Sequence, residues 1–231
     1  MLSYTYLFIN IFSVFIPIIF SFDTRLDIHK KLRGAFLAIA IVAIPFIAWD
    51  IFFTEIGVWG FTDKYLTGLK IFNLPLEEIL FFICIPYACI FTYEVIKYFF
   101  KEKISEKLSQ NISSALISIS FLIMIFNLGK FYSSWTFSLV VASLIFLRKR
   151  FDFGKFYLSC LFVFPGFFLV NGLLTGIAFP EPVVWYNNLE NLGLRFFSIP
   201  YDDFFYGFLL MIWNVYLYES ISSYLLKKSN K

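Results

Sequence analysis

Apolar runs at roughly residues 4–22, 35–53, 75–97, 112–128, 131–147, 156–179 and 202–226 constrain this chain more than any other feature. Each is long enough, or nearly so, to cross about 30 Å of hydrocarbon. Inside a bilayer every backbone donor and acceptor must find its partner within the protein, so such runs become helices. The sequence therefore predicts an all-α, polytopic membrane bundle of seven transmembrane helices. A mean hydropathy of +0.78 fits that reading and excludes an ordinary water-soluble domain. The first run has nothing basic before it and no small-residue cleavage site after Pro17 to Phe20, so it is expected to remain a helix rather than to be removed as a signal.

The loops between the runs divide by charge. Fifteen basic residues fall in the loops of one side (from Arg25 to Arg33, Lys97 to Lys107, Arg148 to Lys155, and Lys227, Lys228 and Lys231), and four on the other, namely Lys64, Lys70, Lys130 and Arg195. By the positive-inside bias the N-terminus is expected outside and the C-terminus in the cytoplasm, in a multi-pass protein of the cell (inner) membrane.

Shifting the chain against itself by 125 residues exposes a repeat. Gly68-Leu69-Lys70-Ile71-Phe72-Asn73-Leu74-Pro75-Leu76-Glu77-Glu78 overlies Gly193-Leu194-Arg195-Phe196-Phe197-Ser198-Ile199-Pro200-Tyr201-Asp202-Asp203. The same offset pairs Tyr93 and Glu94 with Tyr218 and Glu219, and an offset of 121 pairs Asp50 and Thr54 with Asn171 and Thr175. Residues 1–110 thus form a first three-helix repeat, 111–130 a linker helix and 131–231 a second repeat. The single linker crossing would leave the two repeats parallel, related by an axis along the membrane normal. Both acidic motifs then lie in one leaflet.

A proline suits the first turn of a helix, so Pro75 and Pro200 place Glu77, Glu78, Asp202 and Asp203 at helix starts. Carboxylates there complement the helix dipole. Ionisable groups at membrane depth also tend to mark function, and a duplicated pair makes these four the candidate catalytic residues. Neighbouring helical positions point about 100° apart, so each pair can combine a proton donor with an anion. Candidate supporting or substrate-binding residues surround them: Lys70 and Arg195 as counter-charges, Phe81, Phe82, Tyr206 and Gly207 one turn along, and Asp50 and Asn171 at matching places in the neighbouring spans. Glu94 and Glu219 lie near the opposite ends of their helices and are expected to pair with lysines or arginines there. With one histidine and three cysteines inside apolar stretches, no metal site is expected. No Gly-x-Gly-x-x-Gly turn signals a dinucleotide or flavin, and no nucleic-acid partner is implied.

The segment Leu74-Pro75-Leu76-Glu77-Glu78, with Tyr93 and Glu94 ending its helix, resembles the Pro-x-Glu-Glu signature of the membrane-embedded lycopene cyclases of carotenoid biosynthesis. These occur as two small subunits or as one fused chain. The stretch from Val183 to Asn187, followed by Gly193, Leu194, Arg195, Pro200, Asp203, Tyr206 and Gly207, is similar to the family's other half. One departure is Asp202, where the family normally carries Glu. The resemblance implies cofactor-free, acid-catalysed closure of the ends of lycopene, or a related linear carotene drawn from the bilayer, into ionone rings of the beta-carotene type without net redox change. Lipids are the other expected partners, and a homo-oligomer is left open.

Three other classes remain in view. A transporter shares parallel three-helix repeats but needs polar groups through both leaflets, whereas here they gather in one. A retinal photoreceptor needs a lysine within the last span, which holds none before Lys227. A carotenoid hydratase or a cyclase for longer carotenoids would share the same acid step.

Overall fold

A computed structural model of the chain describes residues 2–229, so Lys231 lies outside the described residues. Seven α-helices follow in order: α1 (Thr5–Phe20), α2 (Leu32–Glu55), α3 (Leu76–Phe99), α4 (Glu106–Phe126), α5 (Phe131–Leu147), α6 (Phe153–Leu174) and α7 (Tyr201–Ser229). Six of them are long and apolar enough to cross a membrane. The seventh, the 17-residue α5, is apolar but shorter, about 25 Å at 1.5 Å per residue, at the lower end of what a crossing takes. Interior prolines at Pro17, Pro45, Pro86 and Pro165 are tolerated in helices of this kind, because neighbouring groups take up the freed carbonyls.

Two ends differ from the sequence expectation by more than three residues, each for a local reason. Helix α4 begins at Glu106 because the Ser105 hydroxyl accepts from the Leu108 amide and caps it. Helix α6 stops at Leu174, before residue 179, where Gly176 turns the chain with φ +102°.

The chain forms two compact units. The first comprises Met1–Glu55, Thr62–Lys101 and Leu210–Lys231, and the second Ile56–Phe61 and Glu102–Leu209. Helix α7 therefore contributes its first nine residues to one unit and the rest to the other.

In the first unit α3 packs against both α1 and α2. The hydroxyls of Ser21 and Tyr87 meet at 2.7 Å. Gly34 lets α2 approach the later part of α7, since a Cβ there would stand 2.2 Å from Ser222 Oγ. Buried Glu94 pairs with Lys31 and Lys97, while Lys97 and Tyr93 both reach Glu219, as expected for these two glutamates. In the second unit α4 packs against α5 and α6. There β1 (Trp59–Phe61) and β4 (Val184–Tyr186) form a short antiparallel ribbon in which Trp59 faces Tyr186.

Ahead of α3 and α7 the same turn is built twice. Strand β2 (Lys70–Ile71) pairs with β3 (Leu74–Pro75), and β5 (Arg195–Phe196) with β6 (Ile199–Pro200). Phe72 and Phe197 both take left-handed backbone, at φ 57° and 54°, as do Gly68 and Gly193. The Leu76 amide donates to Leu69 O at 2.8 Å, and Tyr201 to Leu194 at 3.1 Å. The 125-residue offset is thus visible in backbone geometry.

Candidate active site

Each hairpin ends on a proline that opens a helix, and each helix buries both acids of its first turn. Glu77, Glu78, Asp202 and Asp203 are between 0% and 8% exposed. A carboxyl so placed is costly unless hydrogen bonds replace its water. In the second unit they do. Asp203 accepts from the Tyr132 hydroxyl at 2.7 Å on Oδ1, and from Asn171 Nδ2 at 2.8 Å and the Tyr186 hydroxyl at 2.9 Å on Oδ2. Asp202 accepts from the Ser133 hydroxyl at 2.6 Å and from the Leu192 amide at 3.1 Å, one on each oxygen.

The first unit repeats part of this scheme. The Tyr6 hydroxyl donates to Glu78 Oε2 at 2.5 Å, as Tyr132 does to Asp203. The Thr67 amide donates to Glu77 Oε1 at 2.6 Å, as Leu192 does to Asp202. Asn10 Nδ2 bonds the Glu77 carbonyl at 2.7 Å. Elsewhere donors are replaced. Leu7 stands in the place of Ser133, and Glu77 Oε2 is buried without a hydrogen-bond partner among the described residues. Asp50, 2% exposed, corresponds in sequence to Asn171 at the offset of 121. By sequence correspondence the first cluster thus has a carboxyl, Asp50, where the second has the amide of Asn171.

A family model described as lycopene cyclase matches residues 3–96 and 129–221, the stretches that hold the two clusters. The chain belongs to the lycopene cyclase family. A protein of Pyrenophora tritici-repentis named bifunctional lycopene cyclase/phytoene synthase is 35% identical over 66 residues, 29% of this chain and 11% of that relative. A protein of the same name from Leptosphaeria maculans is 32% identical over 73 residues, 32% of this chain and 12% of the relative. The match thus takes in about one-ninth of the length of these relatives. No solved structure matches the chain.

In this lycopene cyclase family member, other residues singled out in the sequence land at different distances from the acids. Lys70 pairs with Asp63 at 3.2 Å on an exposed edge, and Arg195 donates to Ser198 O at 2.7 Å and Asn188 Oδ1 at 2.9 Å. Lys70 thus bonds a residue ahead of its hairpin, while Arg195 also lies 5.8 Å from the centre of the Tyr186 ring, whose hydroxyl donates to Asp203. Phe81 lies 6.5 Å from the Tyr6 ring and meets Phe82 edge-on, while Phe82 is buried against Phe46. Tyr206 sets its ring 6.1 Å from both Trp59 and Tyr132. Gly207 admits Phe167, whose ring would lie 3.0 Å from an added Cβ.

Trp59, Tyr132, Tyr186 and Tyr206 consequently form an aromatic cluster beside Asp203, with ring centroids 5.0 to 6.2 Å apart. Aromatic faces attract cations most strongly where water is excluded. Sequence reading missed Tyr6, Trp59, Tyr132 and Ser133, and took in Tyr186 only as part of the Val183–Asn187 stretch, with no role at the site. For Tyr6 and Tyr132 a signal existed, since they repeat at an offset of 126. The ribbon that delivers Trp59 and Tyr186 rests on Gly60, where a Cβ would meet the Trp185 ring at 2.4 Å. Gly60→Ala is expected to displace that ring and loosen the ribbon, costing about 1–3 kcal/mol, as overpacking does. A thermal melt of the detergent-solubilised protein checks it, and an unchanged midpoint would contradict the close contact.

Proposed function

We propose that the chain cyclises the ends of a linear carotene taken from the bilayer. The duplicated pair of buried acids, each with a tyrosine donor, is the observation that supports this most directly. In the reaction an acid delivers its proton to the terminal double bond, whose π electrons form the new C–H bond. The resulting tertiary cation is attacked by the π pair of a neighbouring double bond, which closes the ring through a new C–C bond. A carboxylate then removes a ring proton, and the C–H electrons become the ring double bond. Atoms and electrons balance as an isomerisation. Exclusion of water protects both cations from capture.

The clusters divide the work. Asp203 is acceptor-only when ionised and meets three donors, an arrangement suited to an anion that stabilises developing positive charge beside its aromatic cluster. Asp50 can play the part of Asn171 only while it carries a proton. The first cluster is accordingly the proton donor, with Glu78 delivering and Asp50 replenishing. Asp50→Asn should retain the hydrogen bonding and lower ring formation about tenfold, the scale of a supporting group beside a general acid. Full activity in that variant would remove Asp50 from the relay.

In this reading the chain crosses the membrane seven times in two parallel repeats, with the N-terminus outside and both clusters in the outer leaflet. Expression in a bacterium that accumulates lycopene, followed by pigment separation, tests the activity. Ringed carotenes are the expected result. An unchanged pigment profile with the protein present in the membrane would overturn it.

A further inference from the structure

At the end of the first unit remote from its acids, α1 and α3 border a half-open cavity of about 260 Å³. Ile16 and Phe20 of α1 line it with Phe91, Val95 and Tyr98 of α3, and the Asp23–Arg25 ion pair stands at its rim. Hydrogen bonds from Arg25 hold the Asp23 carboxyl down at about 2, so the rim stays an ion pair at any physiological pH. The volume is below the roughly 300–1,000 Å³ of pockets that hold a whole ligand. It suits one apolar end of a longer one.

A continuous face of α3 connects this cavity to the acids. Phe81, Cys84, Ala88, Phe91, Val95 and Tyr98 follow one another at steps of three and four, and none of the six is fully buried. That spacing puts them on one side of the helix. Small side chains at Cys84 and Ala88 leave a shallow floor between Phe81, beside Tyr6, and Phe91, in the cavity. Along this face Glu78 and Val95 are 17 residues apart, about 26 Å at 1.5 Å per residue, and Tyr98 extends the track to about 30 Å. An extended forty-carbon carotene is about as long as the hydrocarbon core is thick, roughly 30 Å.

We propose that the α1–α3 cavity is the subsite for the distal end of the carotene, so that one end is seated there while the other reacts at Glu78. The proposal rests on the cyclase reading and adds a consequence to it. In the first round the cavity holds an open chain end. In the second it must hold the ring already made, after the substrate has left and turned round. Closure at the two ends is therefore sequential, and the size of the cavity sets how readily a one-ringed product is accepted back.

The test compares wild type, Val95→Trp, which fills the cavity, and Phe91→Ala, which enlarges it, in a lycopene-accumulating host. Ratios of one-ringed to two-ringed product are compared at matched total conversion. Val95→Trp should raise the ratio at least about tenfold, the discrimination available from a small change in an apolar pocket, and Phe91→Ala should lower it. A wild type that makes only one ring should yield two-ringed product in Phe91→Ala. Active variants whose products match wild type at equal conversion would overturn the subsite and leave the cyclase reading standing. A wild type that forms no ring at all would remove both.

Discussion

Glu78→Gln should abolish most ring formation, by about 10²-fold or more, while the protein accumulates in the membrane as wild type does. Glutamine keeps the size of the side chain and an oxygen to accept the Tyr6 bond of 2.5 Å. What it lacks is a proton to give, and general acid catalysis contributes about 10²–10⁴-fold. Because Tyr6 and Glu78 are both buried, water cannot substitute for the missing acid without opening the first turn of α3. Conversion of lycopene per amount of membrane protein is the measurement. Near-normal turnover would show that the acid lies elsewhere.

Asp203→Asn is expected to damage both stability and turnover. An amide offers one acceptor oxygen, yet Tyr132, Asn171 and Tyr186 all point donors at this side chain. Whichever way the amide is turned, its own N–H groups face at least one of those donors. Each buried donor left unmatched costs about 1–3 kcal/mol. Turnover should fall about 10²-fold where the carboxylate's charge supports the cation, and the melting midpoint should drop by several degrees. Tyr186→Phe removes one of the three donors and should be milder on both readouts. An Asp203→Asn protein that melts and turns over like wild type would mean that the three donors hold a neutral group.

The helices were legible because a bilayer leaves an apolar run few alternatives, and the acids because a proline and two carboxyls recur at one offset. The donors to those acids were not. Tyr6, Tyr132 and Tyr186 are three of 14 tyrosines among 34 phenylalanines, and an aromatic side chain in a greasy segment looks like packing until its hydroxyl is placed. Trp59 and Tyr186 meet through a ribbon joining residues 127 positions apart, which no local pattern announces. Lys70 and Arg195 are the opposite case, prominent in sequence but bonded away from the carboxyls. They stand seven positions before the first acid of each motif and suggest ion pairs, but Lys70 bonds Asp63 and Arg195 bonds Ser198 and Asn188.

The assignment of α7 to both units carries a consequence for how the chain is made. The first unit needs Leu210 onward to be complete, so helices α1 to α3 must wait while more than a hundred further residues are synthesised, roughly 5–20 s at usual rates. Until then Glu94 has its lysines, but the Tyr93 and Lys97 contacts to Glu219 and the seat of Ser222 on Gly34 are missing. A chain cut in two at Lys101 would leave the first fragment unable to close by itself. Its missing rod would have to arrive on the other fragment, which makes the halves obligate partners and ties their production to equal amounts.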